Sequence, residues 1–403
     1  MIVGAALGSV ALVGSPAAGA QVRQPSEDVI TNKPIPPVQG PPGSIRRELP
    51  CGMNGPAVLD DGNRYPSGRR PLRAAIIFVD FSDAPAGPGS APQEVFNRLV
   101  PRAQRVLRGR SYRKFRLAAT PHLRWVRMPK PLSSYGFGEE STEYDRYEGY
   151  IADAVRAAAR SFDMSKFKTV YVIAGPNAHP PEAATQLAAG GGIKVGGTRV
   201  VNTVTLDGYN PDTTSAAVVH ETGHVLGLPD LYKTSVDTDL FRFVGPWDLM
   251  SDIYGASPML SWTRRMVGWL GNRNFRCAGR RRRTVNLKWV ASGGRTKGVI
   301  VRIGRRRAYV IEARTDAVGK GCPRQGVLIY RWNGTVESGE GPIRVMDAQP
   351  GEGACGPHTT ALFKPGQRGR SKYRDRYIAV SVLGRAKNGF RVQVRQRAHP
   401  RRR

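Results

Sequence analysis

The stretch that decides the reading is His220-Glu221-Thr222-Gly223-His224-Val225-Leu226-Gly227-Leu228-Pro229-Asp230. Asp212, Thr213 or Thr214 can cap a helix just upstream, and residues 215–226 form a helical run that Gly227 ends. On a helix of about 3.6 residues per turn, His220 and His224 stand one above the other, so two imidazoles can share one metal ion. Glu221 lies about 100° round from His220, where its carboxylate can reach a water on that metal without being a ligand. A catalytic zinc needs a third protein ligand and one open position. Gly227 permits a sharp turn with positive φ. Asp230, three residues later, can then bring its carboxylate back to the same point. The expected ligands of one catalytic Zn2+ are therefore His220, His224 and Asp230, with Glu221 as general base. The competing reading is a pair of ordinary helix histidines. It has to place two of only six histidines in 403 residues at this spacing beside a glutamate.

Upstream, residues 72–81 carry Ala74-Ala75-Ile76-Ile77-Phe78-Val79, apolar throughout as in a strand buried on both faces. A helix is expected over 92–108, with a break or kink at Pro101. A strand follows over 115–126. The next helix covers 146–162, with Ile151, Ala154, Val155 and Ala158 at helical spacing, and a strand covers 168–174. This alternation predicts an α/β sheet with right-handed crossovers. Gly190-Gly191-Gly192 and Gly196-Gly197 flank 193–195. They lack the Gly-Lys-Ser/Thr ending of a phosphate loop and open no helix, so they read as a hairpin. Its second strand is expected over 198–206, alternating Val200, Asn202 and Val204, where an extended substrate could pair by strand addition. Downstream, short β-like runs at 285–290, 298–303, 308–313, 327–332, 377–383 and 389–394 are separated by turn residues. They predict a β-rich, sandwich-like C-terminal domain.

The expected organisation is a signal peptide over 1–20, a Pro/Gly-rich linker or short pro-segment over 21–70, and a catalytic domain over 71–272. The β-rich domain covers 273–397 and a basic tail 398–403. Residues 2–13 are almost wholly apolar or small, and Ala18-Gly19-Ala20 is an A-x-A cleavage signature. That stretch falls short of the roughly 20 residues a membrane span needs. No other segment is apolar enough to span, so a secreted or cell-envelope location is expected. Four cysteines, Cys51, Cys277, Cys322 and Cys355, suggest two disulfides in an exported chain, with three pairings open. Pairing Cys322 with Cys355 would close a local loop, and Cys51 with Cys277 would tie the N-terminal segment to the C-terminal region. No spacing is C-x-x-C, which argues against a cysteine zinc site.

Hydrophobic content of 40% and aromatic content of 8% exclude a mainly disordered chain. Lys+Arg is 62 against 31 Asp+Glu, a formal net charge of +31. Such a chain attracts polyanions non-specifically. The basic residues are spread along it, and no zinc-finger, homeodomain or RNP-like pattern accompanies them. Ca2+ sites are not supported by any D-x-D-x-D-G string. His122, His179, His358 and His399 have no partners at ligand spacing. The Arg280-Arg281-Arg282-Arg283 run reads as a solvated face.

Two further blocks stand downstream of the histidines: Gly245-Pro246-Trp247-Asp248-Leu249-Met250, and 262–270 with its Val267-Gly268-Trp269-Leu270 ending. Together with the 220–230 string and Leu231-Tyr232 behind it, they resemble secreted metallopeptidases of the immune inhibitor A type (peptidase family M6), which are metzincin-like. Weaker echoes are Val79-Asp80-Phe81-Ser82-Asp83, Ser111-Tyr112, and Tyr309 to Glu312 followed by Gly326 to Tyr330. The likeness spans roughly 72–335 and is most specific over 213–270. It implies a metzincin-like α/β (α+β) zinc-peptidase catalytic domain followed by the β-rich domain, with Asp230 where most metzincins have a third histidine. It also implies that Met250 forms a Met-containing turn beneath the zinc, as support rather than ligand. Without the resemblance, Met250 reads as a plain core methionine. Tyr254 is a weaker candidate for oxyanion or metal contact, against a core or surface role. The function expected is a monomeric, secreted zinc endopeptidase acting on proteins or peptides. The alternatives are a cell-envelope polyanion-binding protein with little or no catalysis, and a peptidase acting on wall peptides.

Overall fold

The computed structural model describes residues 49–55, 65–136, 144–178, 184–187, 192–195, 197–206, 211–234, 239–252, 258–315, 325–350 and 358–397. The expected signal peptide, most of the expected linker, the expected basic tail, Cys322, Cys355, Tyr254, His179, His399, Gly190, Gly191 and Gly196 lie outside them. In chain order the first half carries β1 (Leu72–Asp80), α1 (Pro92–Arg110), β2 (Leu117–Arg127), α2 (Tyr144–Ala158) and β3 (Thr169–Ala174). It continues with β4 (Ala184–Leu187), β5 (Ile193–Val195), β6 (Thr198–Val200), β7 (Asn202–Leu206), α3 (Pro211–Val225) and α4 (Ser261–Met266). Then come β8 (Phe275–Cys277), β9 (Arg283–Lys288), β10 (Gly298–Gly304), β11 (Arg307–Arg314) and β12 (Gly326–Asn333). The last strands are β13 (Ile343–Val345), β14 (Lys372–Arg374), β15 (Ile378–Ala386) and β16 (Gly389–Gln396).

The fold is mixed α/β, with both parallel and antiparallel strands. The first sheet has the order β2-β1-β3-β7-β4. Its first four strands are parallel, and β4 runs antiparallel against β7 at the edge. Side-chain alternation along β1 sets the layering. Ala74, Ile76 and Phe78 enter a core shared with α1 and α3, whereas Ala75, Ile77 and Val79 enter a second core with Ile151, Ala154 and Val155 of α2. Helices thus cover both faces, which is why β1 and β3 read as continuous apolar runs. Helix α1 continues past Pro101, contrary to the expected break. Val95, Leu99, Val100, Ala103 and Leu107 are buried on both sides of the proline, and that packing carries the helix through it without a break.

The hairpin region differs from expectation. Only β5 and β6 form a two-stranded ribbon, and β7 leaves it to become an internal strand between β3 and β4. Asn202, Thr203 and Thr205 are buried in β7, and these polar side chains give a central strand the look of a half-exposed one. Among the described residues the edge beyond β3 is therefore β4, not β7.

The C-terminal strands form a five-stranded sheet, β13-β12-β11-β10-β8, and a four-stranded antiparallel sheet, β14-β15-β16-β9. One face of the five-stranded sheet (Val299, Val301, Tyr309, Ile311, Val327, Ile329) packs on Leu287, Val380 and Val392 of the other. Its opposite face (Ile300, Ala308, Val310, Leu328, Tyr330, Trp332) enters the same core as β1, α1 and α3. The expected boundary at 272/273 falls between α4 and β8, and apolar side chains from both sides meet there in one core. The disulfide Cys51–Cys277 ties residues 49–55 to β8. Further along, Asn54 N–H of that segment donates to the Arg305 carbonyl, and the Arg302 guanidinium donates to the Gly52 carbonyl.

Alternation along β11 turns Glu312 and Arg314 toward the first half, where both are fully buried. Helix α4 has no side-chain cap of its own. Glu312 Oε2 accepts from Ser261 N–H at 2.8 Å and from Tyr330 Oη at 2.8 Å, and Tyr330 Oη accepts from Trp262 N–H at 3.2 Å. Orphan amides of the helix are thus satisfied from another strand. Arg314 pairs with Glu312 at 2.6 Å and donates to the Met259 carbonyl. Removing one member of a buried pair leaves the other uncompensated. We expect E312A to lower unfolding free energy by about 3–5 kcal/mol, read from urea denaturation. A loss under about 1 kcal/mol, the scale of an exposed pair, would show that Glu312 does not hold the halves together.

Candidate metal centre

Helix α3 brings His220 and His224 to one face, and its C-terminus makes the turn that returns Asp230 to them. The end of the helix is a Schellman motif: Leu228 N–H donates to the Gly223 carbonyl at 2.9 Å and Gly227 N–H to the His224 carbonyl at 2.8 Å. Gly227 has φ 92°, the left-handed conformation that glycine adopts without penalty. The turn also orients a histidine, because the Leu228 carbonyl lies 2.7 Å from His224 Nδ1. His220 Nδ1 meets the Leu249 carbonyl at 3.1 Å. A carbonyl only accepts, so each Nδ1 carries the hydrogen, and each neutral ring presents an Nε2 lone pair.

Those lone pairs converge. His220 Nε2 and His224 Nε2 are 3.0 Å apart. Asp230 Oδ1 lies 3.2 Å from the first and 3.0 Å from the second. Oδ1 is buried, and the groups it faces are these two ring nitrogens. Tetrahedral zinc with ligands at about 2.0–2.1 Å holds them roughly 3.3 Å apart, close to the edges of this triangle. The donor set fits one zinc ion. Among the described residues, these three form the group of His, Cys, Asp or Glu able to hold a metal. Glu221 is buried one position along α3, and its charge helps to raise the His224 pKa. Tyr232 lies beside the site, its ring 6.0 Å from that of His220.

Support comes from below and behind. Met250 is fully buried, and its sulfur lies against α3 where Gly223 leaves room. A Cβ on Gly223 would come 2.4 Å from Met250 Sδ. The Met250 carbonyl accepts from Leu231 N–H at 2.8 Å, tying this turn to the segment carrying Asp230. Asp248 organises the turn. Its carboxylate accepts from Met250 N–H at 2.9 Å, Leu260 N–H at 2.8 Å and Thr263 Oγ1 at 2.7 Å. Burial pushes the Asp248 carboxyl up, and these donors pull against it without cancelling it. Behind α3, Tyr171 of β3 hydrogen-bonds Thr222 at 2.8 Å.

The structure brings His220, His224 and Asp230 together and leaves other histidines elsewhere. His122 meets Ser161 at 3.1 Å, and His358 lies 3.3 Å from Asp347. Arg280, Arg281, Arg282 and Arg283 are exposed. The Leu228 and Leu249 carbonyls were not foreseeable as anchors, since backbone groups carry no residue-type signal. Nor was Ser338, which contacts Asp230 from 108 positions away. The chain matches no protein-family model and no curated protein sequence.

Burial pushes His224 down, but the Asp230 carboxylate beside it prevails and raises it to about 9. Burial likewise opposes the Asp230 charge, yet the two imidazoles hold its carboxyl well below the usual carboxylate range. At pH 7, below the raised value, His224 of the metal-free site carries a proton that a metal must displace. Zinc loading of chelator-stripped protein at pH 7 should release about one proton. Calorimetry in buffers of different protonation enthalpy would read it, and release should fade above pH 9. G223A should lower stability by about 1–3 kcal/mol by crowding Met250. If the clash is the cause, urea unfolding of G223A/M250A will show the two losses to be clearly non-additive.

Proposed function

We propose that this protein is a secreted zinc endopeptidase of the immune inhibitor A type. The observation that carries the reading is the convergence of two anchored imidazoles and a buried carboxylate oxygen on one point, with Glu221 next in the same helix. The fit of Met250 against Gly223 beneath the histidines supports the metzincin-like character that the sequence resemblance implies. The Cys51–Cys277 disulfide supports an oxidising location outside the cytoplasm. Among the described residues no helix is long and apolar enough to cross a membrane.

His220, His224 and Asp230 would hold the zinc. Bound there, zinc supplies Lewis acidity, which makes a water acidic near neutral pH and polarises a carbonyl. Glu221 takes the proton of the attacking water and later delivers it to the leaving amine. The tautomers set by Leu228 and Leu249 keep both ring nitrogens available as ligands. Strand β4 has one sheet neighbour, β7, among the described residues, and it packs near α3. An extended peptide can align by adding to that edge.

The polyanion-binding alternative draws on the net charge of +31, and the same experiment separates it. Purified protein should contain zinc and cleave an unstructured protein, and a chelator should stop the cleavage. E221Q should keep zinc and lose turnover by about 10²- to 10⁴-fold. Undiminished cleavage by E221Q would remove Glu221 as the base. Absence of both zinc and cleavage, with polyanion binding retained, would favour the alternative.

A further inference from the structure

The hydroxyl of Ser338 touches Asp230 twice. It accepts from Asp230 N–H at 2.8 Å and donates to Asp230 Oδ2 at 3.1 Å. One group therefore fixes both the main chain of Asp230 and the carboxylate oxygen turned away from the histidines. The other oxygen, Oδ1, is left to face the two ring nitrogens at 3.2 and 3.0 Å. Without the hydroxyl, the side chain is free to rotate and to exchange its two oxygens. Asp230 is 18% exposed at its side chain, so water can compete for it.

The next residue completes the grip. Gly339 N–H donates to the Asp230 carbonyl at 3.1 Å, and the Gly339 carbonyl accepts from Thr234 N–H at 3.3 Å. Gly339 has φ 76°, and a Cβ there would meet Thr234 Oγ1 at 2.0 Å, so only glycine fits. Ser338 and Gly339 lie between β12 and β13, strands of the five-stranded C-terminal sheet. The main-chain bonds place the loop against the ligand segment, and the Ser338 hydroxyl selects which carboxylate oxygen faces the histidines.

We propose that Ser338 is the positioning residue for the third metal ligand, so that the loop between β12 and β13 is an integral part of the zinc site. This rests on the zinc reading given above. Groups that orient a ligand from behind it typically change metal affinity by about 10- to 100-fold when removed. Full-length protein, stripped of metal, would be titrated with Zn2+ against a chromophoric chelator. S338A should bind zinc about 10- to 100-fold more weakly than wild type, and S338T, which keeps the hydroxyl, should recover most of that loss. If S338A does not fold, S338T and S338V decide, since they share a shape and differ in the hydroxyl. The proposal requires the threonine variant to bind zinc clearly more tightly than the valine variant. Equal affinity of S338A and wild type would overturn it, as would equal losses in the threonine and valine variants. Either outcome with zinc-binding wild type leaves the peptidase reading standing. A wild type that takes up no zinc overturns both.

Discussion

Two backbone carbonyls, those of Leu228 and Leu249, decide where the imidazoles of His220 and His224 point. Each accepts from an Nδ1 and so leaves an Nε2 lone pair aimed at the same spot. Much of the surrounding structure keeps those two carbonyls in place. The Schellman turn at Gly227 places one. The turn ending in Met250, pinned by the Asp248 carboxylate, places the other. Independent pieces of chain hold each of the three donors, and in the metal-free site the Asp230 carboxylate faces a His224 ring that carries a proton. A site built in this way is preorganised for a cation and tolerates little drift in any of its supports.

The supports reach across the expected domain boundary. Asp248 holds Leu260 and Thr263 at the start of α4, and Glu312 on β11 caps the same helix from the far side. The five-stranded sheet shares its core with the helices that carry the histidines. The β-rich region is therefore more than an appended module. It closes the apolar face of the first half and supplies polar groups to elements beneath the two histidines. The sequence echoes at 309–312 and 326–330 fall on this contact, which includes Glu312 and Tyr330.

What was legible in the sequence is what depends on local period. The His220–His224 face, the Gly227 turn and the apolar runs of β1 and β3 are set by spacing within a few residues. The six longer C-terminal strands were legible for the same reason. Position within a sheet is not a local property. Residues 202–206 alternate with polar side chains and so resemble an edge, yet Asn202, Thr203 and Thr205 are buried in an internal strand. The short strands β4, β8, β13 and β14 are too brief to show a period. Pro101 carries a strong local signal that tertiary packing overrides. Of the candidate site, the three residues that converge could be named in advance, whereas the groups that hold them come from turns and strands far along the chain.

The contact between Asp230 and Ser338 also has a consequence in time. The chain is made from its N-terminus, and Asp230 is synthesised 108 residues before the serine that grips it. During synthesis, the segment bearing His220 and His224 is made well before the loop between β12 and β13. A nascent chain thus holds its histidines but lacks the fixed third donor. The cluster is complete only with the closing strands of the molecule, which separates the birth of the helix from the moment its three donors stand fixed together.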